Sequence, residues 1–555
     1  MQLPPHPLYS LQLTPHFDAH GASSLTVLLR LQLPAIKAGD AVFFFDTFYG
    51  NVPGHPFQEN DIVATDDHGP LGVRFHNVPS RGRDEKQHWS FSRETRGDIM
   101  LQYDVFPRKV DVKTPLGARI DLRRDQGGLH GAGSWFLPQL ISDQVFTIVV
   151  KWNVPADAPK STRCVWSYGE GTKPIVRVDR SQLVRDTVYM VGPVQSYPKV
   201  SPGNDGEFSA CYWFGSLPPN LDRLKGYNTV LFPKMAAFFE SSGKPYRMFM
   251  RKSVVGFGGT GFDASYMLEY DDTSSDVTDD ALIQLFTHEM VHSFAVIDPE
   301  EDGSENEWFI EGIAELYSSY LPYRFGFRGK DFLIKTINSH LQGYFTNPRI
   351  KMDIRDAAKI MFNDWYAEWI SYKRGCAYLL FVDLYLRRLS RSYDFAAAGP
   401  LDSIITGLAK RNKQGEAVCA RDWLESLKKA LGNDKFPVEE HFEDMLRGRH
   451  VLDFDGLFLG EPSNRLKSTQ LPILQFGFEK RSLNSRFIAG LDPESPAARA
   501  GLWEGAPIVS TSRSSDCIED VHKAYRVVVR DGDQTRLIEY LPRTKNTAPA
   551  WQLES

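Results

Sequence analysis

The chain has 555 residues, of which 42% are hydrophobic, and a formal net charge of −6. This length predicts about three or four domains with ample material for their cores. The charges form no long runs, so the sequence carries no footprint of a nucleic-acid-binding protein.

Cysteine usage and the N-terminus bear on the compartment. The five cysteines are widely spaced and form neither a zinc-ribbon pattern nor a disulfide framework, which favours a reducing compartment. Residues 1–7 lack a charged region followed by an apolar stretch, and no apolar run approaches the ~20 residues of a membrane span. We therefore expect a cytoplasmic protein with no membrane partner and no nucleic-acid partner.

Residues 1–195 predict an N-terminal β-sandwich. Strand-like runs, such as 24–33 and 145–152, alternate with clusters of Gly, Pro and Asp. Residues 201–206 read Ser-Pro-Gly-Asn-Asp-Gly and predict a linker. From about 210 to 455 the pattern becomes mainly helical, with a strand predicted near 246–250. The expected fold class is therefore multidomain α+β.

One segment of the helical region contains the motif H-E-x-x-H. His288 and His292 are four residues apart, so an α-helix places both imidazoles on one face, roughly 6 Å apart along the axis. Two nitrogens at that spacing can share one zinc ion, and Glu289 stands where a general base for the metal-bound water belongs. Asp276 or Thr278 is the expected N-cap of this helix. The alternative is a helix with two packed or solvated histidines.

Two acids follow at positions that suit the same site. Eighteen residues separate His292 from Glu311, which has apolar neighbours and therefore needs a partner. A set of two histidines and one glutamate leaves the fourth zinc position open for catalysis. Glu315 comes one helical turn later and can accept the second N–H of a ligating histidine. The alternatives are a surface acid at Glu311 and a solvated glutamate at Glu315.

These motifs carry a resemblance. His288-Glu289-x-x-His292, the Glu311-Gly312 pair and Tyr372-Lys373-Arg374-Gly375 resemble the gluzincin metallopeptidases, with elements similar to those of the aminopeptidase N type. The domain order resembles the glycyl aminopeptidase family, metallopeptidase family sixty-one. The resemblance implies zinc ligands His288, His292 and Glu311, the general base Glu289 and the oxyanion donor Tyr372. By itself, a tyrosine in this aromatic-rich stretch is typical of core packing.

The C-terminal region has its own signature. Residues 486–505, which read R-F-I-A-G-L-D-P-E-S-P-A-A-R-A-G-L-W-E-G, resemble the middle of a PDZ domain. The upstream loop at 475–478 is a candidate for binding a peptide C-terminus through backbone N–H groups, and a plain β-strand is the alternative there. The expected domains are 1–195, an N-terminal β-sandwich; 196–465, a thermolysin-like, mainly helical catalytic domain; and 466–555, a PDZ-like β domain.

The sequence departs from the family at one place. The family pattern has a Gly-Gly-x-Glu-His-x-x-Ser stretch, which forms the edge strand for substrate and holds the substrate's α-amine through its glutamate. Here Gly258, Gly259 and Thr260 keep the strand pattern, but Gly261 replaces the glutamate, and Asp263 is the candidate substitute. The alternative for this run is an ordinary hairpin turn.

Taken together, the sequence predicts a peptidase that binds one zinc ion per chain and hydrolyses peptide substrates, with aminopeptidase activity as the first expectation. An endopeptidase or a differently anchored exopeptidase is the nearer alternative, because Gly261 has no carboxylate. A non-catalytic peptide-binding scaffold built on the PDZ-like region is the alternative from a different class, and the presence of Glu289 argues against it.

Overall fold

The computed structural model describes residues 6–78, 85–199, 209–241, 245–254, 256–300, 303–460 and 464–554. The linker predicted at 201–206 lies outside these described residues. The described residues form two compact units. The first comprises residues within 1–233 and 243–282, and the second comprises those within 234–242 and 283–555.

The first part of the chain is built almost entirely of strands. They begin with β1 (Leu8–Asp18), β2 (Gly21–Leu31), β3 (Ala41–Tyr49), β4 (Val52–Pro53), β5 (Val63–Asp66), β6 (Gly69–Leu71), β7 (Val73–Val78), β8 (Glu85–Phe91) and β9 (Ile99–Val105). They continue with β10 (Arg123–Asp125), β11 (Gly128–Ala132), β12 (Gln139–Leu140), β13 (Val145–Trp152), β14 (Arg163–Trp166), β15 (Gly169–Glu170), β16 (Ile175–Arg180) and β17 (Val188–Gly192).

These strands form three sheets around one core. The largest has the order β16-β13-β1-β2-β9-β5-β6, the second β10-β11-β17-β14-β15, and the third β12-β3-β8-β7 with β4 beside β3. Burial alternates along β1, so that Tyr9, Leu11 and Leu13 face the core while their neighbours are only partly buried. Residues of all three sheets share this core. The predicted β-rich N-terminus is confirmed, but a third sheet joins the two that a sandwich requires.

A further sheet of five strands completes the first unit. Its strands are β18 (Val194–Tyr197), β19 (Ala210–Phe214), β20 (Arg247–Lys252), β21 (Gly258–Phe262) and β22 (Ser265–Tyr270), in the order β18-β19-β20-β22-β21. The predicted strand at 246–250 corresponds to β20. The glycine-rich stretch that the resemblance predicts as an edge strand corresponds to β21. Strands β19 and β22 were not expected, because short, fully buried runs lack the alternation that marks a half-buried strand.

The middle of the chain is helical, as the sequence predicts. The helices are α1 (Pro219–Leu224), α2 (Tyr227–Phe238), α3 (Asp279–Val291), α4 (Glu307–Arg324), α5 (Lys330–Phe345), α6 (Ile354–Ile360), α7 (Gly375–Ser390), α8 (Pro400–Lys413), α9 (Ala420–Leu431) and α10 (Val438–Arg447). A π-helical turn, Ile370–Arg374, leads directly into α7.

The structure shows which of the two predicted residues is the N-cap of α3. The Thr278 hydroxyl accepts a hydrogen bond from the backbone N–H of Ala281 at 3.2 Å, as an N-cap does. Asp276 instead ends a separate 3₁₀ helix, Asp272–Asp276, so its assignment as the cap is wrong. Leu282, on the inner face of α3, is fully buried.

The C-terminal region returns to strands. It contains β23 (Leu466–Leu474), β24 (Ile508–Thr511), β25 (Tyr525–Asp531), β26 (Gln534–Tyr540) and β27 (Arg543–Leu553), with α11 (Ser482–Ser485), α12 (Pro496–Arg499) and α13 (Ser514–Glu519). Strands β23 and β27 pair with each other, and β24-β25-β26 form a second small sheet. We call residues 466–554 the C-terminal module.

Two findings concern the whole described chain. No helix within the described residues combines the length and apolarity that a membrane span needs. All five cysteines (Cys164, Cys211, Cys376, Cys419 and Cys517) are buried free thiols.

Candidate active site and metal centre

Three predicted ligands converge at one point in the second unit. Glu311 Oε2 lies 3.2 Å from His288 Nε2 and 3.7 Å from His292 Nε2. One ligand atom from each residue lies within 4.8 Å of the other two. His288 comes from the last turn of α3, His292 from the turn directly after it, and Glu311 from α4. Their side chains are only 11%, 18% and 20% exposed.

The donor set fits a zinc ion. Ligand atoms about 2.0–2.1 Å from a tetrahedral zinc lie roughly 3.3 Å from one another, close to the separations here. Glu311 Oε2 is also a buried oxygen that has no hydrogen bond of proper geometry within the described residues. A buried carboxylate oxygen in that position needs a cation to compensate for its lost hydration.

Carboxylates dominate the electrostatics of this cluster. Burial alone would lower the pKa of His288, but Glu311, Glu315 and Glu289 outweigh it and raise that pKa to about 9. Burial lowers the pKa of His292 to about 4, against the opposing effect of Glu311. Burial would raise the pKa of Glu311, yet the two histidines hold it below its ordinary value. Three acids around two imidazoles create a negative field that favours a divalent cation.

Glu289 is placed beside the ligand cluster rather than within it. It follows His288 directly on α3 and is buried, with 7% of its surface exposed. Its charge raises the pKa of His288. The predicted general base is therefore close enough to His288 to act on it electrostatically, while it is absent from the converging set of three.

Tyr372 lies against one of the predicted ligands. Its ring is nearly parallel to that of His288, with 6.0 Å between centroids. Burial, followed by the charge of Glu311, raises the pKa of the Tyr372 phenol well above its usual value. The hydroxyl therefore keeps its proton at neutral pH and is available as a hydrogen-bond donor. A π-helical turn carries this tyrosine, a feature often found at functional sites.

Glu315 has more partners than the sequence predicts. Its Oε1 lies 3.9 Å from His288 Nδ1, too far for a direct hydrogen bond. Its Oε2 lies 2.9 Å from His340 Nδ1 and 3.2 Å from Lys373 Nζ. Lys373 also forms an ion pair with Glu519 of the C-terminal module. Despite burial, Lys373 and His340 hold the pKa of Glu315 well below its ordinary value, so this acid is charged.

Two glycines of the motifs bring the helices together. A methyl group placed on Gly312 would lie 2.5 Å from the carbonyl carbon of Gly375, and one on Gly375 would lie 2.0 Å from the carbonyl oxygen of Trp308. Helix α4 and the start of α7 therefore meet backbone to backbone. Glu311 precedes one glycine directly, and Tyr372 precedes the other by one helical turn.

The predicted substrate strand lies in the first unit, and it is an edge strand as well as half of a hairpin. Residues 258–262 form β21, whose ladder partner is β22. The side chain of Thr260 accepts a hydrogen bond from the backbone N–H of Arg119 at 2.9 Å. The Asp263 carboxylate in the turn accepts one from the Tyr168 hydroxyl at 2.5 Å. The substrate-binding role of Gly258, Gly259, Thr260, Gly261 and Asp263 stays a prediction.

The predicted carboxylate-binding loop at 475–478 is engaged within the chain. The backbone N–H of Gln475 donates to Pro542 O at 2.8 Å, and that of Phe476 donates to the Tyr366 hydroxyl at 3.2 Å. The indole N–H of Trp365 donates to Phe478 O at 2.6 Å. The sequence did not indicate these partners, and capture of a peptide C-terminus at this loop stays a prediction.

Sequence reasoning missed three residues near the site. Lys373 stands within the tyrosine motif, but its position gave no indication of a buried ion pair. His340 and Glu519 belong to no motif, and their link to the site depends on the packing of α5 and α13.

Comparison with solved structures supports the fold. The chain is similar to an aminopeptidase N family protein from Idiomarina loihiensis, with 15% identity, coverage of 99% of this chain and 98% of that one, and a TM-score of 0.65. It is also similar to a two-domain M1 zinc metallopeptidase bound to L-tryptophan, with 16% identity, coverage of 83% and 97%, and a TM-score of 0.50. No family model and no curated protein matches the chain. At these identities the likeness is one of fold, and the finer resemblance to glycyl aminopeptidases stays a prediction.

Proposed function

We propose that this protein is a zinc-dependent peptidase, with aminopeptidase activity as the first candidate. The observation that carries the proposal is the convergence of His288 Nε2, His292 Nε2 and Glu311 Oε2, with Glu289 next to the first ligand. Zinc bound by these three residues would activate a water molecule and polarise the substrate carbonyl. The fold shared with an aminopeptidase N family protein and with a zinc metallopeptidase is consistent with this function.

The protein's own residues supply the proton transfers. Glu289 accepts a proton from the attacking water and passes it to the departing amine as the peptide bond breaks. Tyr372 donates a hydrogen bond to the carbonyl oxygen as negative charge develops there. The buried surroundings strengthen both interactions, because water does not screen them.

A second candidate is an endopeptidase or an exopeptidase with another anchor. A substrate's free α-amine is a cation that needs a carboxylate partner in a dry site. Gly261 has no side chain to supply one, and the Asp263 carboxylate already accepts a hydrogen bond from Tyr168. These two observations favour the second candidate over a standard amine anchor.

The domain plan is part of the proposal. We assign 1–195 to an N-terminal β domain, 196–465 to the catalytic domain and 466–555 to a PDZ-like domain. The first and last domains are assigned from their many strands. The middle domain is assigned from its helices and from the cluster of predicted metal ligands.

Digestion of a mixed peptide library by the zinc-loaded protein tests this function. Mass spectrometry of the products is expected to show new ends that appear in proportion to enzyme and disappear after chelation. Removal of single N-terminal residues would support the aminopeptidase, and internal cuts would support the second candidate. A protein that binds zinc yet cuts none of the peptides would contradict the proposal.

A further inference from the structure

The C-terminal module contributes a charge to a buried cluster beside the ligand His288. Glu519, the last residue of α13, forms an ion pair with Lys373. Lys373 Nζ lies 3.2 Å from Glu315 Oε2, and the other oxygen of Glu315 faces His288 Nδ1 at 3.9 Å. A continuous series of charged groups therefore connects the C-terminal module to the metal ligand.

The cluster is closed to solvent at its centre. The side chains of Lys373 and His340 are each 1% exposed, that of Glu315 is 11% exposed, and that of Glu519 is 31% exposed. His340 Nδ1 lies 2.9 Å from Glu315 Oε2 and 3.2 Å from Lys373 Nζ, and its Nε2 faces the Ser319 hydroxyl at 3.1 Å. Lys373 Nζ therefore lies between two carboxylates, those of Glu315 and Glu519.

Glu519 affects how strongly the charge of Lys373 acts on Glu315. With Glu519 present, Lys373 divides its ammonium between two carboxylates. Without Glu519, the full positive charge of Lys373 would act on Glu315 alone. It would then reduce the negative charge that the Glu315 Oε1 atom presents to His288. At 3.9 Å, too far for a direct hydrogen bond, Glu315 acts on the imidazole of His288 through its charge. Carboxylates placed behind a ligating histidine in this way tune the affinity of the site for its metal.

Other contacts fix Glu519 at this place. The backbone N–H of Val521 donates to the side chain of Gln342 at 3.0 Å, on the same helix α5 that carries His340. Asn338, also on α5, exchanges two hydrogen bonds with the backbone of Leu553, at 2.8 and 2.9 Å. Two segments that follow α13 in the chain therefore bind the module to α5.

We propose that Glu519 is a positioning residue for the metal site, which acts through Lys373 and Glu315 on His288. This inference rests on the proposed function, because it takes His288 as a zinc ligand. It assigns to the C-terminal module a part in the metal site, beyond any capacity to bind peptides.

The test compares variants of the full chain. In Glu519→Gln, which keeps size but loses charge, we expect the dissociation constant for zinc, measured by competition with a chromogenic chelator, to rise about 10-fold. Glu519→Asp keeps the charge on a shorter side chain, so a smaller rise is expected. Asp516→Asn is the matched control, because Asp516 lies on the same helix and pairs with Arg513 at 2.9 Å. It should bind zinc as the wild type does.

Zinc affinity separates the possible outcomes. A purely structural role would lower the unfolding temperature of Glu519→Gln and leave its zinc affinity unchanged, which would overturn the inference. Equal weakening in Asp516→Asn would also overturn it. If Glu519→Gln does not fold, Glu519→Ala takes its place, and wild-type zinc affinity in that variant would overturn the inference. A wild-type chain that binds no zinc would contradict the proposed function itself. Weaker zinc binding that is limited to the Glu519 variants concerns the role of Glu519 alone.

Discussion

The ring of Tyr372 lies almost parallel to the imidazole of His288, with 7° between the two planes. The two residues are 84 positions apart in the chain and belong to different elements. Their contact therefore depends on the packing of α3 against the π-helical turn. It places a phenol whose proton is retained beside one of the three converging ligands.

Loss of a ligand should release the metal. We expect purified His288→Ala and Glu311→Ala to lose most of the single zinc ion that the wild-type chain binds, because two remaining ligands hold the ion poorly. Elemental analysis of the dialysed proteins gives the metal content per chain. Full occupancy in either variant would reject the ligand assignment.

Glu289→Gln should separate metal binding from catalysis. The amide fills the same space but cannot accept the proton of the attacking water, so kcat is expected to fall by about 10²–10⁴-fold with zinc retained. Peptide hydrolysis and zinc content are measured on the same preparation. Turnover near that of the wild type in a zinc-loaded variant would exclude Glu289 as the base.

Tyr372→Phe should lower kcat more than it raises KM, by about 10²-fold if the hydroxyl acts only in the transition state. Tyr385→Phe is a suitable control, because that hydroxyl lies on the following helix and donates to Asp434 at 3.0 Å. Steady-state kinetics on one peptide compares the two. An effect of Tyr372→Phe confined to KM would reassign the residue to substrate binding.

A matched pair of peptides tests the missing amine anchor. Because Gly261 supplies no carboxylate, we expect the protein to favour a free N-terminus over its N-acetylated form less strongly than an enzyme with a glutamate there. Rates for both peptides, in wild type and in Asp263→Asn, give the answer. A preference of orders of magnitude that survives Asp263→Asn would show that another group holds the amine. A preference that collapses in this variant would assign the anchor to Asp263.

Trp365 should matter for stability. Its side chain is 4% exposed and belongs to the apolar core of the C-terminal module, where it stacks on Phe476 with 4.4 Å between ring centroids. Trp365→Ala is expected to cost about 3–5 kcal/mol of unfolding free energy. Denaturant unfolding measures the loss. Leu541→Ala, at a position 44% exposed in the same module, serves as the control and should change stability little.

Local features of the fold and site could be predicted from the sequence. The four-residue spacing of His288 and His292 fixes their relation on any α-helix, and an acid among apolar neighbours, such as Glu311, needs a buried partner. The mainly helical middle follows from the period of its apolar residues. The caps were less certain, because Asp276 and Thr278 are both good N-cap residues and only the chain's path selects one.

Long-range partners could not be predicted. Glu519 is 146 positions from Lys373, and Trp365 is 113 from the loop residue Phe478 that accepts its hydrogen bond. No local pattern encodes such pairs, since each depends on how separate elements pack. The partner of the Asp263 carboxylate could not be predicted for the same reason, because Tyr168 lies in the turn between β14 and β15, 95 positions away.

The meeting of Gly312 and Gly375 has a consequence for how the site tolerates change. Backbone atoms in van der Waals contact are nearly incompressible, so the span between Glu311 and Tyr372 is set by the main chain and not by the fit of surrounding side chains. Substitutions in the nearby core can therefore lower the unfolding temperature without changing the position of Glu311 relative to Tyr372. A single added methyl at either glycine would push the two backbone segments apart and increase the separation between Glu311 and Tyr372.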